Sequence, residues 1–164
     1  MAKKIYLDSR ESPVYITLLG ISCHLKDYRL SYLLNYHIPA EFSKLDDLKI
    51  MPAAKKESSE FSFYYFKDED RFNSYSLISN RNQESALIAE MKQTDFILIV
   101  EGEFRKPQKD ALLKNIKAIP NVLTCYELKL AEIKNHEHLL SEIELHVMKQ
   151  HRSAKTQYKP SQLK

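Results

Sequence analysis

The chain of 164 residues contains two glycines, two cysteines and no tryptophan. Walker-type and dinucleotide-binding loops gather several glycines in one short stretch, so that backbone N–H groups can approach phosphates. Gly20 and Gly102 stand far apart, and neither loop can be built. Cys23 and Cys125 lie in apolar surroundings with no Cys/His pair at zinc-ligand spacing. They read as two reduced strand thiols rather than a disulfide. Gly-x-Ser-x-Gly and His-Glu-x-x-His are absent, which argues against serine-hydrolase and zinc-protease chemistry. The longest strongly apolar run, 96–100, has five residues, too few to cross a bilayer. No apolar run of signal-peptide length follows Lys3 and Lys4, so a soluble, cytoplasmic chain with no membrane partner is expected.

An excess of positive charge is missing from the body of the chain. The formal net charge is +3, but Arg152, Lys155, Lys159 and Lys164 follow His151 without an intervening acid. Without those four cations, residues 1–151 carry a net charge of −1. A basic domain face tracking phosphates is therefore not expected, and nucleic acid is a disfavoured partner.

What is present suffices for one packed domain. The hydrophobic fraction is 43% and the charged fraction 29%, ordinary values for a globular chain that needs neither disulfide nor metal. The expected division is a flexible N-terminus at 1–13, a domain at 14–150 and a basic, disordered tail at 151–164.

Hydrophobic periodicity orders the elements. A short strand is possible at 4–7. Residues 14–21, rich in β-branched and apolar side chains, predict a buried strand, with Gly20 marking a bulge or a close backbone approach. Leu30, Leu33, Leu34 and His37 share a helical face, extended by Leu25 and Ile38 and stopped by Pro39. Ser22 or His24 could cap this helix, with Asp27 in its first turn. A strand follows at 45–51, then a hairpin over 61–66 and 72–79 turning at Lys67-Asp68-Glu69-Asp70. Residues 87–93 fit a helical turn and an extended segment equally. Residues 96–100 predict a central strand, apolar on both faces and ended by Gly102. Pro107 opens a helix carrying Leu112, Ile116 and Ile119, and a strand follows at 122–128. His136, Leu139, Leu140, Ile143 and Val147 mark a last helix to about His151. Two βαβ halves with strands between them predict an α+β fold. The form expected is a ferredoxin-like or ACT-like two-layer sandwich with a mainly antiparallel sheet, an extra hairpin and a C-terminal helix.

Three blocks carry a family resemblance. They are Gly20-Ile21-Ser22-Cys23-His24-Leu25-Lys26-Asp27-Tyr28-Arg29-Leu30, the hairpin 61–81, and Leu87-Ile88-Ala89-Glu90-Met91-Lys92-Gln93-Thr94-Asp95-Phe96. Over about residues 14–130 the chain resembles the IPExxxVDY family of small bacterial proteins, which have no established function. In the block that names the family, Ile88, Glu90 and Asp95 match, while Ala89, Thr94 and Phe96 replace Pro, Val and Tyr. Any role of that tyrosine hydroxyl is therefore not carried over.

Candidate chemistry centres on the charged start of the first helix. His24, Lys26, Asp27 and Arg29 stand near the end of one strand, and Glu90 and Asp95 precede another. They could form a polar pocket for an anionic ligand or partner. The structural alternative has Asp27 capping the helix and Arg29 paired with a carboxylate as a brace. His138, Glu142 and His146 share a helix face at metal-ligand spacing, but they lie beside the apolar stripe, and a solvated charged face is the better explanation. Asp46 and Asp47 read as a strand-edge or turn pair. Phe61, Phe63, Tyr65 and Tyr75 could stack bases, or could pack a core or subunit interface. No catalytic residue, metal or cofactor is assigned. The reading that follows is a non-enzymatic binding or regulatory module, homodimeric, acting through a protein partner or small ligand. An RNA-associated protein and an enzyme using the helix start are the alternatives.

Overall fold

The first five residues of Phe96–Glu101 (β6) are all buried, which sets this strand at the centre of the molecule. The computed structural model describes residues 3–5, 14–51 and 57–157. β6 pairs on one side with Val14–Cys23 (β2) and on the other with Asn73–Ser79 (β5), antiparallel in both cases. β5 pairs with Ser59–Asp68 (β4), and β4 with Ser43–Ile50 (β3), which ends the sheet. The far side of β2 is shared. Lys3–Ile5 (β1) pairs with residues 14–16, and Val122–Leu128 (β7) with residues 18–23. The order β1-β2-β6-β5-β4-β3, with β7 also on β2, makes one seven-stranded antiparallel sheet.

Both faces of this sheet are covered, which explains why β2 and β6 read as continuous apolar runs rather than alternating ones. Leu19, Ile21, Leu98 and Val100 pack with Leu30 and Leu34 of Asp27–His37 (α1) and with Leu112 and Ile116 of Lys106–Lys117 (α2). Ile16, Leu18, Ile97 and Ile99 pack with Leu139, Leu140 and Ile143 of His136–Gln157 (α3). The architecture is α+β: sheet plus α1 and α2 form two layers, and α3 lies on the second face. The hairpin aromatics divide between these cores, Phe61 and Phe63 towards α3 and Tyr64, Phe66 and Tyr75 towards α1 and α2.

Several predicted boundaries move. α1 starts at Asp27 with Lys26 at the N-cap, and no side chain caps it. Neither Ser22 nor His24 is free to do so from the right place: β2 runs on to Cys23, and the Ser22 hydroxyl donates to the Gln93 carbonyl at 2.6 Å. Asn35 closes the other end by bonding the backbone N–H and carbonyl of Phe42 at 2.8 and 3.1 Å. Residues 87–93 are turns and bends, not helix or strand. α3 continues to Gln157, beyond the predicted stop near His151. The strand expected at 4–7 is Lys3–Ile5; residues 6 and 7, like the rest of 6–13 and the tail 158–164, lie outside the described residues.

Gly102 is required by contact and conformation, and Gly20 sits in a tight contact. Gly102 has φ of +110°, and a Cβ there would stand 2.6 Å from the Asn73 amide nitrogen and 2.7 Å from the Phe72 carbonyl. At Gly20 a Cβ would meet the Tyr126 ring at 3.1 Å and the Thr94 methyl at 3.2 Å, so the close approach is real. The bulge in β2 comes later, between Ser22 and Cys23.

Candidate functional site

Asp95 stands one residue before β6 and is bound from three directions. Its N–H donates to the Ile21 carbonyl at 2.9 Å, and its carbonyl accepts from the Asn80 N–H at 2.8 Å. One carboxylate oxygen accepts the Cys23 N–H at 2.9 Å, and the other pairs with the Arg81 guanidinium. The single carboxylate thus satisfies the N–H at the bulged end of β2 and holds the residue that leaves β5.

Asn80, fully buried, is the second tie. Its amide nitrogen donates to the carbonyls of Met91 and Thr94 at 3.0 and 2.9 Å, and its amide oxygen accepts the Ile88 N–H at 2.8 Å. The Thr94 hydroxyl bonds the Tyr126 phenol. Residues 88–95 have no ladder of their own, so side chains from β2, β7 and the end of β5 supply their partners.

The six predicted residues do not converge. Asp27 accepts a hydrogen bond from the Tyr64 phenol at 3.0 Å and lies 3.9 Å from the Lys44 ammonium, tying α1 to β3 and β4. Burial, followed by the Asp27 bond and charge, pushes the Tyr64 phenol up to about 12. Asp95 takes Arg81, not Arg29, because Arg81 stands two residues beyond β5, next to Asn80, whose N–H bonds the Asp95 carbonyl, while Arg29 is exposed on α1. His24, Lys26, Arg29 and Glu90 are exposed, and among the described residues their side chains make no ion pair or hydrogen bond. Of the two readings of these residues, pocket and structural brace, the contacts form a brace, built on Asp95 and Asn80, with Asp27 serving a separate contact.

The His138, Glu142 and His146 face also takes a structural part. β3 bulges between Leu45 and Leu48, leaving the Asp46 backbone without ladder partners there. Gln150 accepts the Asp46 N–H at 3.0 Å, and His146 Nε2 meets the Asp46 carbonyl at 2.7 Å, so one face of α3 clamps the bulge. Among the described residues, no three His, Cys, Asp or Glu side chains are disposed to hold a metal. At the other edge, Lys109 is buried and paired with Glu127 at 3.0 Å. Its ammonium is held above the usual value: burial acts to lower it, and the Glu127 bond and charge together with Asp110 act to raise it. Sequence reading missed this pair because Lys109 sits on an α2 that otherwise shows ordinary helical charges.

One recess has a lining suited to a ligand. It lies on the α1/α2 face, between the first turns of α2, the chain leaving α1, and β5, with a volume of about 350 Å³. Ile38, Pro39, Ala111 and Leu112 supply aliphatic walls. Tyr75 and Phe104 form a corner, their rings 6.4 Å apart and 88° inclined. Arg71 is the one charged residue in its lining. Two further depressions, of about 270 and 490 Å³ along β3, are lined by acids and lysines together. The sequence does not signal the recess, since Pro107 marks only a helix start and Tyr75 only a strand.

No helix among the described residues is long and apolar enough to cross a membrane. Compared with protein-family models and with curated proteins, the chain matches none.

Proposed function

We propose that this chain is a non-enzymatic ligand-binding module of the IPExxxVDY type, working in the cytoplasm. The observation that carries the reading is the apolar recess beside α2, set against charged candidates that are either built into the brace or left apart at the surface. Small-molecule sites are commonly such concavities, mostly apolar with a few polar groups. The strand order β7-β2-β6-β5, with α1 and α2 as the crossovers, supports a ferredoxin-like or ACT-like core extended by β3 and β4. Fold analogy adds only a weak preference for a regulatory role. Two buried, free thiols suit a reducing compartment.

A homodimer through β7 belongs to the same reading. The outer side of β7 has no partner among the described residues, and Glu127 is its one charge. The opposite edge, β3, is blunted by a bulge and by Lys44, Asp46, Asp47 and Lys49. Light scattering should give a dimer that Leu123→Lys dissociates; a monomeric wild type at high concentration rejects this part.

The ligand reading is tested by screening metabolites against the full chain by amide NMR. Some compound should shift the signals of Tyr75, Phe104 and Ala111, and Ala111→Trp should abolish its binding. A broad library that never touches these signals overturns the reading. A protein partner is the second reading, favoured by Tyr28, Tyr32 and Tyr36. They share one face of α1 and are 64%, 63% and 79% exposed. Stoichiometric capture of a protein by wild type but not by a Tyr28→Ser, Tyr32→Ser, Tyr36→Ser variant supports it.

A further inference from the structure

We propose that the recess takes a small monoanionic amphiphile: a compact apolar body bearing one carboxylate, with Arg71 as the partner of the anion. This rests on the ligand-binding reading and narrows it to a chemical class.

The charge argument comes first. The lining contains Arg71 and no acid. Among the described residues Arg71 makes no ion pair. Its position is set by the hairpin turn, where the Asp68 carboxylate accepts the N–H groups of Asp70 and Arg71 at 3.1 and 3.2 Å. This leaves the guanidinium available at the edge of an apolar wall. Next to such a wall the effective dielectric is lower than in water, and a planar guanidinium matches a carboxylate with two parallel bonds.

Of the uncharged polar residues in the lining, Gln108 and Tyr75 favour the same ligand, and Asn115 can donate or accept. Gln108 commits its amide oxygen to the Arg105 N–H at 2.9 Å, so what it offers the recess is its NH₂. The Tyr75 phenol remains protonated at neutral pH, because burial and then Asp68 push it up more than Arg71 pulls it down. Guanidinium, amide NH₂ and phenol O–H all donate, and a carboxylate only accepts. A cationic ligand would meet Arg71 in the lining, with Asp68 acting only from outside it.

Size sets the body. A volume of about 350 Å³ lies near the lower end for small-molecule sites, enough for one ring or a medium alkyl chain and too small for a dinucleotide. The Tyr75–Phe104 corner can pack against either an aromatic ring or methylenes.

The test uses the full chain with octanoate and phenylacetate as probes for the aliphatic and aromatic sources, and octanamide and phenylacetamide as uncharged counterparts. At least one acid should shift the amide signals of Tyr75, Phe104 and Ala111, and bind about tenfold or more tightly than its amide. Whichever acid binds better identifies the source. Arg71→Gln, an exposed turn position whose intact fold the same spectra report, should erase the acid-over-amide preference. Equal binding of acid and amide, or a preference unchanged in Arg71→Gln, overturns the anionic class while leaving the recess as a ligand site. If no acid shifts the recess signals, the inference fails. The broader reading then survives only if another library compound binds there.

Discussion

Asp95 accepts the backbone N–H of Cys23 at 2.9 Å across 72 residues of sequence, and the same carboxylate pairs with Arg81. One side chain thereby joins the end of β2, the segment leaving β5 and the start of β6. If this is a brace, Asp95→Ala strands a backbone donor and an arginine. It should cost roughly 1–3 kcal/mol in urea unfolding. Glu90→Ala, at an exposed neighbour without a partner, should change stability by less than about 0.5 kcal/mol. Equal effects at the two positions would contradict the assignment.

Asn80 predicts a larger loss. Asn80→Ala removes two donated bonds and one accepted bond from a fully buried side chain, leaving the Ile88 N–H and the carbonyls of Met91 and Thr94 short of partners. The expected cost is at least roughly 2 kcal/mol. Hydrogen exchange should locate the loosening in residues 88–95, with the α1/α2 core still protected. Uniform loss of protection would mean that this segment is not a separable unit.

Glu101 predicts a pH dependence. Burial pushes its carboxyl up from the ordinary value of 4.5, Glu144 adds to this, and a bond from the Ser74 hydroxyl opposes it. The folded state then holds the proton more tightly than the unfolded chain. Stability on this account falls as pH rises from 4.5 through the folded-state value, and it stays lower at neutral pH. Glu101→Gln should therefore melt higher than wild type at pH 7, with the gain disappearing below about pH 4. A gain independent of pH would point to packing instead.

The thiols predict silence. Cys125 is pushed up to about 12 by burial, with Lys117 opposing weakly, and burial likewise raises Cys23. Neither should react with a disulfide reagent in the native state at pH 8, and both should react in denaturant. Rapid native labelling of either would show that its core face opens.

Local pattern was enough to read much of the architecture. The change from a continuous apolar run at 14–21 to a period of 3.6 from Leu30 marked α1, Pro107 and the Leu112 stripe marked α2, and 96–100 marked the central strand. These signals are legible because each depends on side-chain direction along a few consecutive residues. The paucity of glycine likewise ruled out glycine-rich phosphate loops without any coordinates.

The tertiary structure decided what the charges do. Arg29 and Arg81 lie in different family-like blocks from Asp95, and only sheet order brings Arg81 to it while Arg29 stays exposed on α1. The clamp of His146 and Gln150 on Asp46 spans 100 and 104 residues, and no period along the chain encodes such a distance. The recess has the same origin: Arg71, Tyr75, Phe104 and Ala111 belong to separate elements and become one surface only when α2 packs across the sheet. A helix or strand is a property of neighbours in sequence, whereas a brace or a site is a property of neighbours in space.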